Sequence, residues 1–277
     1  MSGSPSAATP VLSLRGASLA FGGRPLWSGL DLDVPAGEFL AVLGANGSGK
    51  TTFLRAVLGL QPLSAGTLRV NGAPPHRGSP QIGYIPQQRR VDPLTPLRAR
   101  DVIALGLDGH RWGPGRPSRA RRRLVEEAID AVGAAPFANR PLGLLSGGEQ
   151  QRIRIGQALA TDPRVLLCDE PLLSLDLYHQ RMVTALVDRR RRTHGTAVVF
   201  VTHEINPILA YVDRVLYLAG GRFRVGTVAE VMTSQVLSEL YGTPIDVVHA
   251  KGRIVIVGMP DTPVHEDDHV HDPVSTV

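Results

Sequence analysis

A glycine-rich stretch around residue 50 carries a lysine followed by two threonines. It consists of Gly44, Ala45, Asn46, Gly47, Ser48, Gly49, Lys50, Thr51 and Thr52, so that Gly-Lys-Thr follows the first glycine after four residues. Glycines let backbone N–H groups turn inward around phosphate oxygens, and a helix that begins there adds partial positive charge. Lys50 can reach the β- and γ-phosphates of a nucleotide, and the Thr51 hydroxyl can ligate Mg²⁺. The stretch therefore predicts a binding site for nucleotide phosphates.

A pair of carboxylates follows an apolar run later in the chain. The run 165–168 has the pattern of a buried parallel strand, and Asp169 and Glu170 come directly after it. Carboxyl ends of parallel strands share one sheet edge, so we expect the pair to face the same crevice as the phosphate motif. There, Asp169 suits Mg²⁺, directly or through water, and Glu170 suits a general base that orients an attacking water. Acids also end strands without a catalytic role, so this interpretation depends on the phosphate motif upstream.

The stretch 145–152 begins with a helix-capping pattern. Ser146 can cap a helix whose first turn contains Gly147 and Gly148, and Glu149 stands where it completes a capping box. Such a helix end also binds anions, because its free N–H groups and dipole favour negative charge. Taken alone, the pattern fits an ordinary capped helix equally well.

The elements that must position these residues alternate between strands and helices. Continuous apolar runs predict buried parallel strands at 39–43, 165–168 and 197–201. Helical spacing predicts helices at 50–59, 119–132, 177–193 and 229–241, and one or two helical turns at 102–107. Alternation and glycine turns predict short strands over 11–44 and hairpins at 213–226 and 246–257. This order indicates an α/β protein with a parallel sheet, into which the helical stretch 93–160 is inserted as a lobe.

Composition excludes several classes of protein. Hydrophobic residues make up 43% and charged residues 20% of the chain, which rules out global disorder. The single cysteine, Cys168, rules out a disulfide scaffold and a multi-cysteine metal site. The sequence has no run of about 18 apolar residues and no signal-peptide pattern at its start, so we expect a cytoplasmic protein without a membrane span.

The net charge is divided between the body of the chain and its end. Lys and Arg total 30 against 25 Asp and Glu, and only Lys50 and Lys251 are lysines. The end, 261–277, holds acids but neither Lys nor Arg. A basic body is compatible with a nucleic acid or an anionic membrane as partner, and also with arginines spread over solvated helix faces, which is the simpler interpretation.

The acidic end also contains three histidines. His265, His269 and His271 lie among these acids, and imidazole with carboxylate suits Zn²⁺ or Mn²⁺. An acidic tail with incidental histidines is the alternative, since no fixed ligand spacing is visible.

Together, the three motifs resemble those of the ATP-binding cassette (ABC) ATPases. The string Leu145-Ser146-Gly147-Gly148-Glu149-Gln150-Gln151-Arg152 resembles the family signature, with the phosphate loop before it and the Asp-Glu strand after it. The resemblance covers about residues 11–230. It implies a P-loop NTPase with a RecA-like core, an N-terminal antiparallel β subdomain and an inserted helical subdomain at about 93–160. We expect a disordered N-terminus at 1–10, the ATPase domain at 11–240 and a C-terminal extension with the acidic tail at 241–277.

The resemblance also assigns roles to residues outside the three motifs. Phe21 would stack on adenine, where the family more often has tyrosine. Gln87 would contact Mg²⁺ and the water, with Gln88 as a rival one position away. Asp176 would lie in the loop that crosses the dimer, and His203 would be the switch histidine near the γ-phosphate.

The resemblance implies an active site shared by two chains. In the family, the signature of one subunit closes on ATP held by the phosphate loop of another, which implies a head-to-tail homodimer with two ATP molecules and Mg²⁺. The implied catalytic residues are Lys50, Gln87, Glu170 and His203, and the implied Mg²⁺ ligands are Thr51, Gln87 and Asp169. The implied nucleotide contacts are Phe21, the phosphate loop from Gly44 to Thr52, the signature residues Ser146, Gly147 and Gly148, and Asp176.

Within the family, the chain most resembles the zinc and manganese uptake ATPases. The resemblance rests on Ile82-Gly83-Tyr84-Ile85-Pro86-Gln87, on Thr202-His203-Glu204-Ile205-Asn206 and on chain length. It implies the ATPase of a bacterial importer, peripheral at the cytoplasmic face of the membrane. The implied partners are separate integral membrane permease subunits and, indirectly, an extracytoplasmic metal-binding protein, with no nucleic acid. The alternatives are an iron–siderophore or cobalamin importer and, in a different class, a soluble ABC ATPase acting on nucleic acid or the ribosome.

Overall fold

Strands and helices alternate through most of the chain. The computed structural model describes residues 9–87, 92, 95–108 and 118–258, except the side chains of Phe21 and Arg24. The strands are β1 (Leu12–Phe21), β2 (Arg24–Val34), β3 (Phe39–Gly44), β4 (Ala65–Val70), β5 (Ile82–Ile85), β6 (Val165–Asp169), β7 (Ala197–Val201), β8 (Arg214–Ala219), β9 (Arg222–Gly226), β10 (Asp246–Ala250) and β11 (Arg253–Val257). The helices are α1 (Lys50–Val57), α2 (Ala99–Asp108), α3 (Arg119–Ala131), α4 (Gly147–Leu159), α5 (Leu177–His194), α6 (Val228–Val231) and α7 (Ser234–Tyr241).

The central sheet brings the predicted chemical residues to one edge. Within the described residues it has six strands in the order β5-β6-β7-β3-β8-β9, all parallel except for the β8–β9 hairpin. The three predicted apolar strands are the adjacent strands β6, β7 and β3, and all of their residues are buried. Asp169 pairs with Val201, and Val201 pairs with Val42. The ends of these strands therefore lie side by side.

Alternation along β3 divides the interior into two cores. Phe39, Ala41 and Leu43 belong to a buried cluster with residues of α2 to α5, whereas Leu40 and Val42 belong to a second cluster. The second cluster also contains residues of α1 and of an antiparallel sheet in the order β2-β1-β4. Because successive side chains of a strand point to opposite faces, one apolar run supports both layers. The parallel sheet and the antiparallel β layer confirm the predicted α/β class.

Helices α2, α3 and α4 lie in the stretch that the sequence predicts as an inserted lobe. Ser118 and Ser146 cap α3 and α4 by accepting hydrogen bonds from the N–H groups of Arg121 and Glu149. The predicted boundaries at 93–160, 11–240 and 241–277 remain predictions. Gln88, residues 109–117, the first eight residues of the predicted N-terminus and residues 259–277 lie outside the described residues.

The structure corrects three element predictions. The strands expected to be short over 11–44 include the long strands β1 and β2, because Gly22 and Gly23 adopt left-handed φ and turn the chain so that Phe21 pairs with Arg24. The helix expected at 229–241 is two helices, because Thr233 caps the start of α7. The turns expected at 102–107 form the longer helix α2.

The sequence does not predict strands β4 and β5, but it does predict the terminal hairpin. β4 is mostly exposed and β5 has only four residues, so neither has the long apolar run of a buried strand. The hairpin predicted at 246–257 is confirmed as β10 and β11. Among the described residues, no helix combines the length and the apolar character needed to cross a membrane.

Candidate active site

Two glycines in the phosphate loop occupy positions where a side chain would meet neighbouring atoms. Gly44 ends β3 with a φ of 142°, and a Cβ there would lie 2.0 Å from the carbonyl oxygen of Leu218. Gly49 precedes α1 with a φ of 97°, and its Cβ would lie 3.2 Å from atoms of Leu26 and Trp27. Both conformations disfavour other residues. The loop between them therefore turns tightly from the central strand into the N-terminus of α1.

The side chain of Lys50 lies inside this loop. Its Nζ donates hydrogen bonds to the carbonyl oxygens of Gly44 at 2.8 Å and Ala45 at 2.9 Å. Burial lowers the pKa of Lys50, and the charges of Glu170 and Asp169 partly oppose this shift. The hydroxyl of Ser48 is buried and has no hydrogen-bond partner among the described residues. A cationic group and an unpaired hydroxyl beside a helix N-terminus fit phosphate oxygens as ligands.

The remaining predicted loop residues lie at its rim and in α1. Asn46 and Gly47 are exposed at the outer turn, whereas Thr51 and Thr52 belong to the first turn of α1. Phe21 ends β1, and its side chain lies outside the described part of the chain.

Oxygen atoms suited to a divalent cation meet at the end of β6. The Thr51 hydroxyl donates to Asp169 Oδ1 at 3.4 Å, and the Tyr84 hydroxyl donates to Oδ2 at 3.3 Å. Asp169 is only 4% exposed, and burial raises its pKa. Burial and the charge of Asp169 raise the pKa of Tyr84 to about 12, so the phenol remains a donor at neutral pH. A hydroxyl beside a carboxylate is a donor set that Mg²⁺ accepts, so these residues fit the predicted metal.

The predicted catalytic side chains of Gln87 and His203 converge on Glu170, the residue after Asp169. Glu170 has a φ of 46°, which is unusual for a residue with a side chain, and its N–H donates to the Val201 carbonyl oxygen at 3.0 Å. Its Oε2 accepts a hydrogen bond from Gln87 Nε2 at 3.3 Å, and its Oε1 lies 3.8 Å from His203 Nδ1. Strained backbone of this kind concentrates at functional sites because the surrounding structure holds it. The turn after Asp169 thus aims the carboxylate at both partners.

The predicted signature residues form a separate group at the start of α4. Ser146 and Glu149 form a complete capping box, in which the Ser146 N–H and hydroxyl donate to Glu149 Oε2 at 2.8 and 2.9 Å. Gly147 and Gly148 occupy the first turn. Between the described residues, no hydrogen bond or ion pair joins this helix end to the phosphate loop. Asp176 caps α5 by accepting from the His179 N–H at 2.9 Å.

Comparison with known proteins identifies the family. The family model described as ABC transporter matches residues 27–173, which is more than half of the chain. This chain belongs to the ABC transporter family.

Relatives of known name cover most of the chain. It is 37% identical to the hemin import ATP-binding protein HmuV of Streptomyces coelicolor over 250 residues, which cover 88% of each protein. It is 35% identical to the zinc import ATP-binding protein ZnuC of Halorhodospira halophila over 273 residues, which cover 98% of this chain and 93% of that one. The chain is thus an ATP-binding subunit of an ABC importer and an ATPase.

A solved structure extends the likeness to the whole fold. It is an inward-facing conformation of an ABC transporter assigned to the metal-chelate type, with a TM-score of 0.75 and 28% identity, and it covers 89% of this chain and 95% of its own. This likeness confirms the ABC ATPase fold predicted from the motifs.

Two residues that belong to the quoted motifs make contacts in the site that the sequence did not predict. Tyr84 donates to Asp169 from the neighbouring strand β5, and its only signal was the alternation of β5 beside β6. Gln150 is buried and donates to the carbonyl oxygens of Leu142 and Leu145 at 3.2 and 3.1 Å, which fixes the turn before Ser146. The Tyr84 contact depends on how two strands pack, and the Gln150 contacts depend on the shape of the turn that precedes α4.

Proposed function

We propose that this ABC subunit hydrolyses ATP with Mg²⁺ as a head-to-tail homodimer and so energises uptake of zinc or manganese through a separate membrane permease. The observation that carries hydrolysis is the convergence of Gln87 and His203 on the carboxylate of Glu170. A base, an amide and an imidazole within reach of one another supply the groups that position and deprotonate a water.

Each side chain has one task in this proposal. Glu170 takes a proton from the water that attacks the γ-phosphorus, while the bond from this phosphorus to the bridging oxygen breaks and ADP leaves. Gln87 orients the Glu170 carboxylate from the side. His203 lies on the other oxygen of Glu170 and stabilises charge near the transferred group. Lys50 exchanges its two carbonyl partners for phosphate oxygens. Mg²⁺, held by Thr51, Asp169 and Gln87, would neutralise charge on the phosphates.

The separation of the two anion-binding helix ends supports the proposed homodimer. The phosphate loop opens on the N-terminus of α1, and the signature stretch opens on the N-terminus of α4. Within the described residues, the two ends share no bond. We propose that a second copy supplies the signature for each phosphate loop, with the exposed carboxylate of Asp176 beside it. Two such sites per pair close the assembly with two-fold symmetry.

A groove between the core and the lobe is our proposed permease site. It has a volume of about 430 Å³ and lies between the end of α1, strand β5 and helices α2 and α4. Its lining residues include Leu58, Ile82, Tyr84, Pro86, Leu105 and Gly106. The lining also contains polar residues such as His76, Gln157 and Thr161. A short amphipathic permease helix suits a groove of this mixed character. Tyr84 lines the groove and also donates a hydrogen bond to Asp169. Gln87, which contacts Glu170, follows Pro86 of the groove, so the segment 84–87 contributes both to the proposed permease site and to the proposed hydrolytic site.

The paired arginines favour a permease over nucleic acid as the partner. Arg100, Arg121 and Arg123 contact Glu126, Asp108 and Glu127 in ion pairs. The run from Arg189 to Arg192 is also engaged, through the Ala131 carbonyl oxygen, Asp162, Asp188 and Asp213. Arginines committed to acids of their own chain are poorly placed to replace phosphate counterions. We therefore propose attachment to the cytoplasmic face of the membrane through the permease.

Two relatives bear on the imported substrate. The relative named for zinc covers 98% of this chain, and the one named for hemin is slightly more identical, at 37% against 35%. We propose a divalent metal because the zinc relative spans nearly the full length, with an iron chelate or cobalamin importer as the alternative.

The test is ATP-driven uptake into vesicles that contain the chain and the permease that copurifies with it. We expect Zn²⁺ or Mn²⁺ to accumulate with the wild-type chain but not with Glu170→Gln. Accumulation of hemin, without accumulation of either ion, would show that the imported substrate is a metal chelate and not a free divalent metal. Copurification with nucleic acid and no permease would contradict the importer.

A further inference from the structure

The first turn of α5 lies against the first turn of α4. The imidazole of His179 covers Gly148 so closely that a Cβ at residue 148 would lie 2.0 Å from Cδ2 and 2.6 Å from Nε2. Real Cβ atoms do not approach to such distances. Gly148 has no left-handed φ, so the space, and not the backbone conformation, requires a glycine here.

The same imidazole holds the carboxylate of Asp176. Nδ1 of His179 lies 2.8 Å from Asp176 Oδ2, and the His179 N–H donates to Oδ1 at 2.9 Å. An ionised carboxylate only accepts, so the ring donates from Nδ1 and turns its opposite edge toward Gly148. The main-chain N–H and then the ring of His179 lower the pKa of Asp176. The carboxylate therefore stays ionised in a fixed orientation.

His179 thus connects two segments that reach the surface separately. The Asp176 side chain is 65% exposed, whereas the His179 side chain is 31% exposed and lies between Asp176 and the helix end capped by Ser146. A ring wedged between a hydrogen-bonded loop and a helix backbone restricts the motion of one relative to the other. Fixed groups lose less entropy when they close on a ligand.

We propose that His179 is a positioning residue that holds Asp176 and the stretch Ser146–Gly148 as one rigid unit, which closes on ATP bound by a second subunit. This inference rests on the proposed head-to-tail dimer. In this proposal His179 acts through Asp176 and Gly148, without a contact of its own with nucleotide. Its loss should weaken closure and turnover and leave ATP binding to the phosphate loop unchanged.

The first test separates positioning from folding. His179→Ala should lower kcat for ATP hydrolysis by about tenfold, equivalent to about 1.4 kcal/mol, with KM for ATP changed less than about twofold. His179→Asn keeps atoms at the Nδ1 and Cδ2 positions and should recover most of kcat. His194→Ala, at the exposed far end of the same helix, is the matched control and should behave as wild type. A parallel fall in kcat for Ala and Asn, or a change in KM alone, would overturn the proposal.

The second test is a double-mutant cycle on stability without nucleotide. In a helix, alanine is favoured over glycine, so Gly148→Ala should raise Tm if the space were free. With the imidazole in place it should lower Tm, and in a His179→Ala background it should raise Tm or leave it unchanged. The same sign in both backgrounds would show that His179 does not constrain Gly148.

The third test separates this inference from the dimer on which it rests. Glu170→Gln should form an ATP-dependent dimer in gel filtration, and adding His179→Ala should shift association to about tenfold higher protein concentration. A Glu170→Gln chain that stays monomeric would remove the dimer and this inference together. A Glu170→Gln chain that dimerises equally well with and without His179→Ala would leave the dimer and overturn only the role of His179.

Discussion

At the scale of single residues, the site is set by backbone placement as much as by side-chain type. Glu170 reaches Gln87 and His203 because its left-handed φ turns the chain directly after β6. Lys50 is buried against loop carbonyls, which keeps the ammonium where phosphate oxygens would enter. The sequence motifs identify Glu170 and Lys50, but they do not give the backbone turn or the burial that orients these two side chains.

The first prediction concerns the base. Glu170→Gln should retain ATP binding and lower kcat by about 10²–10⁴-fold, because the amide cannot accept the proton of the attacking water. Nucleotide binding and steady-state hydrolysis measure the two effects separately. Glu204→Gln is the matched control, since it removes an exposed carboxylate that makes no hydrogen bond or ion pair with the described residues. Normal hydrolysis by Glu170→Gln would remove Glu170 as the base.

The second prediction concerns the buried carboxylate of Asp169. Burial raises its pKa in the folded chain, so the stability that its protonated form contributes is present in acid and is lost as pH rises through the folded pKa. At neutral pH the ionised group therefore destabilises the nucleotide-free fold. Asp169→Asn should raise the free energy of unfolding at pH 7 by about 1 kcal/mol and weaken Mg²⁺-dependent ATP binding.

Calorimetry in EDTA at pH 7 and at pH 4 measures the stability effect. The advantage of the variant should shrink at the lower pH, because the wild-type carboxyl then gains protons. A less stable Asp169→Asn chain at pH 7 would show that the hydrogen bonds from Thr51 and Tyr84 outweigh burial.

At the scale of elements, the sites lie where strands or loops turn into helices. The turn from β3 to α1 needs Gly44 and Gly49, and the start of α4 needs the capping box of Ser146. The N-terminus of a helix leaves N–H groups free, so the starts of α1 and α4 are also anion-binding positions. The order of the strands in the sheet then decides which of these turns lie close to each other.

The third prediction tests the turn between β3 and α1. Gly49→Ala should lower stability by about 1–3 kcal/mol and abolish ATP binding, since the methyl would press on Leu26 and Trp27 at a strained φ. Gly72→Ala is the control, because it has a similar φ of 76° with no atom within 4 Å. Denaturant unfolding and nucleotide titration measure both effects. Equal stability losses in the two variants would mean that φ alone, and not the contact, requires Gly49.

Local pattern predicted the elements that a single segment determines. The runs at β3, β6 and β7 are apolar throughout because both of their faces are buried, so their pattern is strong. The break between α6 and α7 depends on one threonine cap, which periodicity overlooks. The contacts of Tyr84 with Asp169 and of His179 with Gly148 were missed because these partners lie in other segments. The bonds from Gln150 to the preceding turn were missed because residue spacing does not give the shape of that turn.

At the scale of the whole molecule, the proposed active site draws on two separate regions of the subunit. The phosphate loop and Glu170 belong to the edge of the central sheet, and the signature belongs to the lobe that contains α4. Gln87 joins the two regions in sequence, since it follows β5 and precedes the lobe. Motion of the lobe can therefore be linked to the state of the nucleotide through differential affinity of ATP for the closed form.

The fourth prediction concerns that link. Gln87→Ala should lower substrate uptake more than ATP affinity, and uptake and ATPase activity should fall by different factors, because the amide contacts Glu170 beside the proposed permease groove. Uptake into vesicles and hydrolysis by the same preparation measure the two factors. Gln235→Ala, an exposed amide on α7, should change neither. Uptake at the wild-type rate would remove Gln87 from the coupling path.

The most direct measurement is hydrolysis by mixed dimers. Lys50→Ala removes the phosphate loop lysine, and Ser146→Arg blocks the signature, so each variant alone should be inactive. In a mixed head-to-tail dimer one site carries both lesions and the other carries neither, so equal mixing should restore about one quarter of wild-type activity. A chain with both substitutions, mixed with Lys50→Ala, should restore nothing. No recovery from the first mixture, with mixed dimers demonstrated by differential tags, would contradict a site built from two chains.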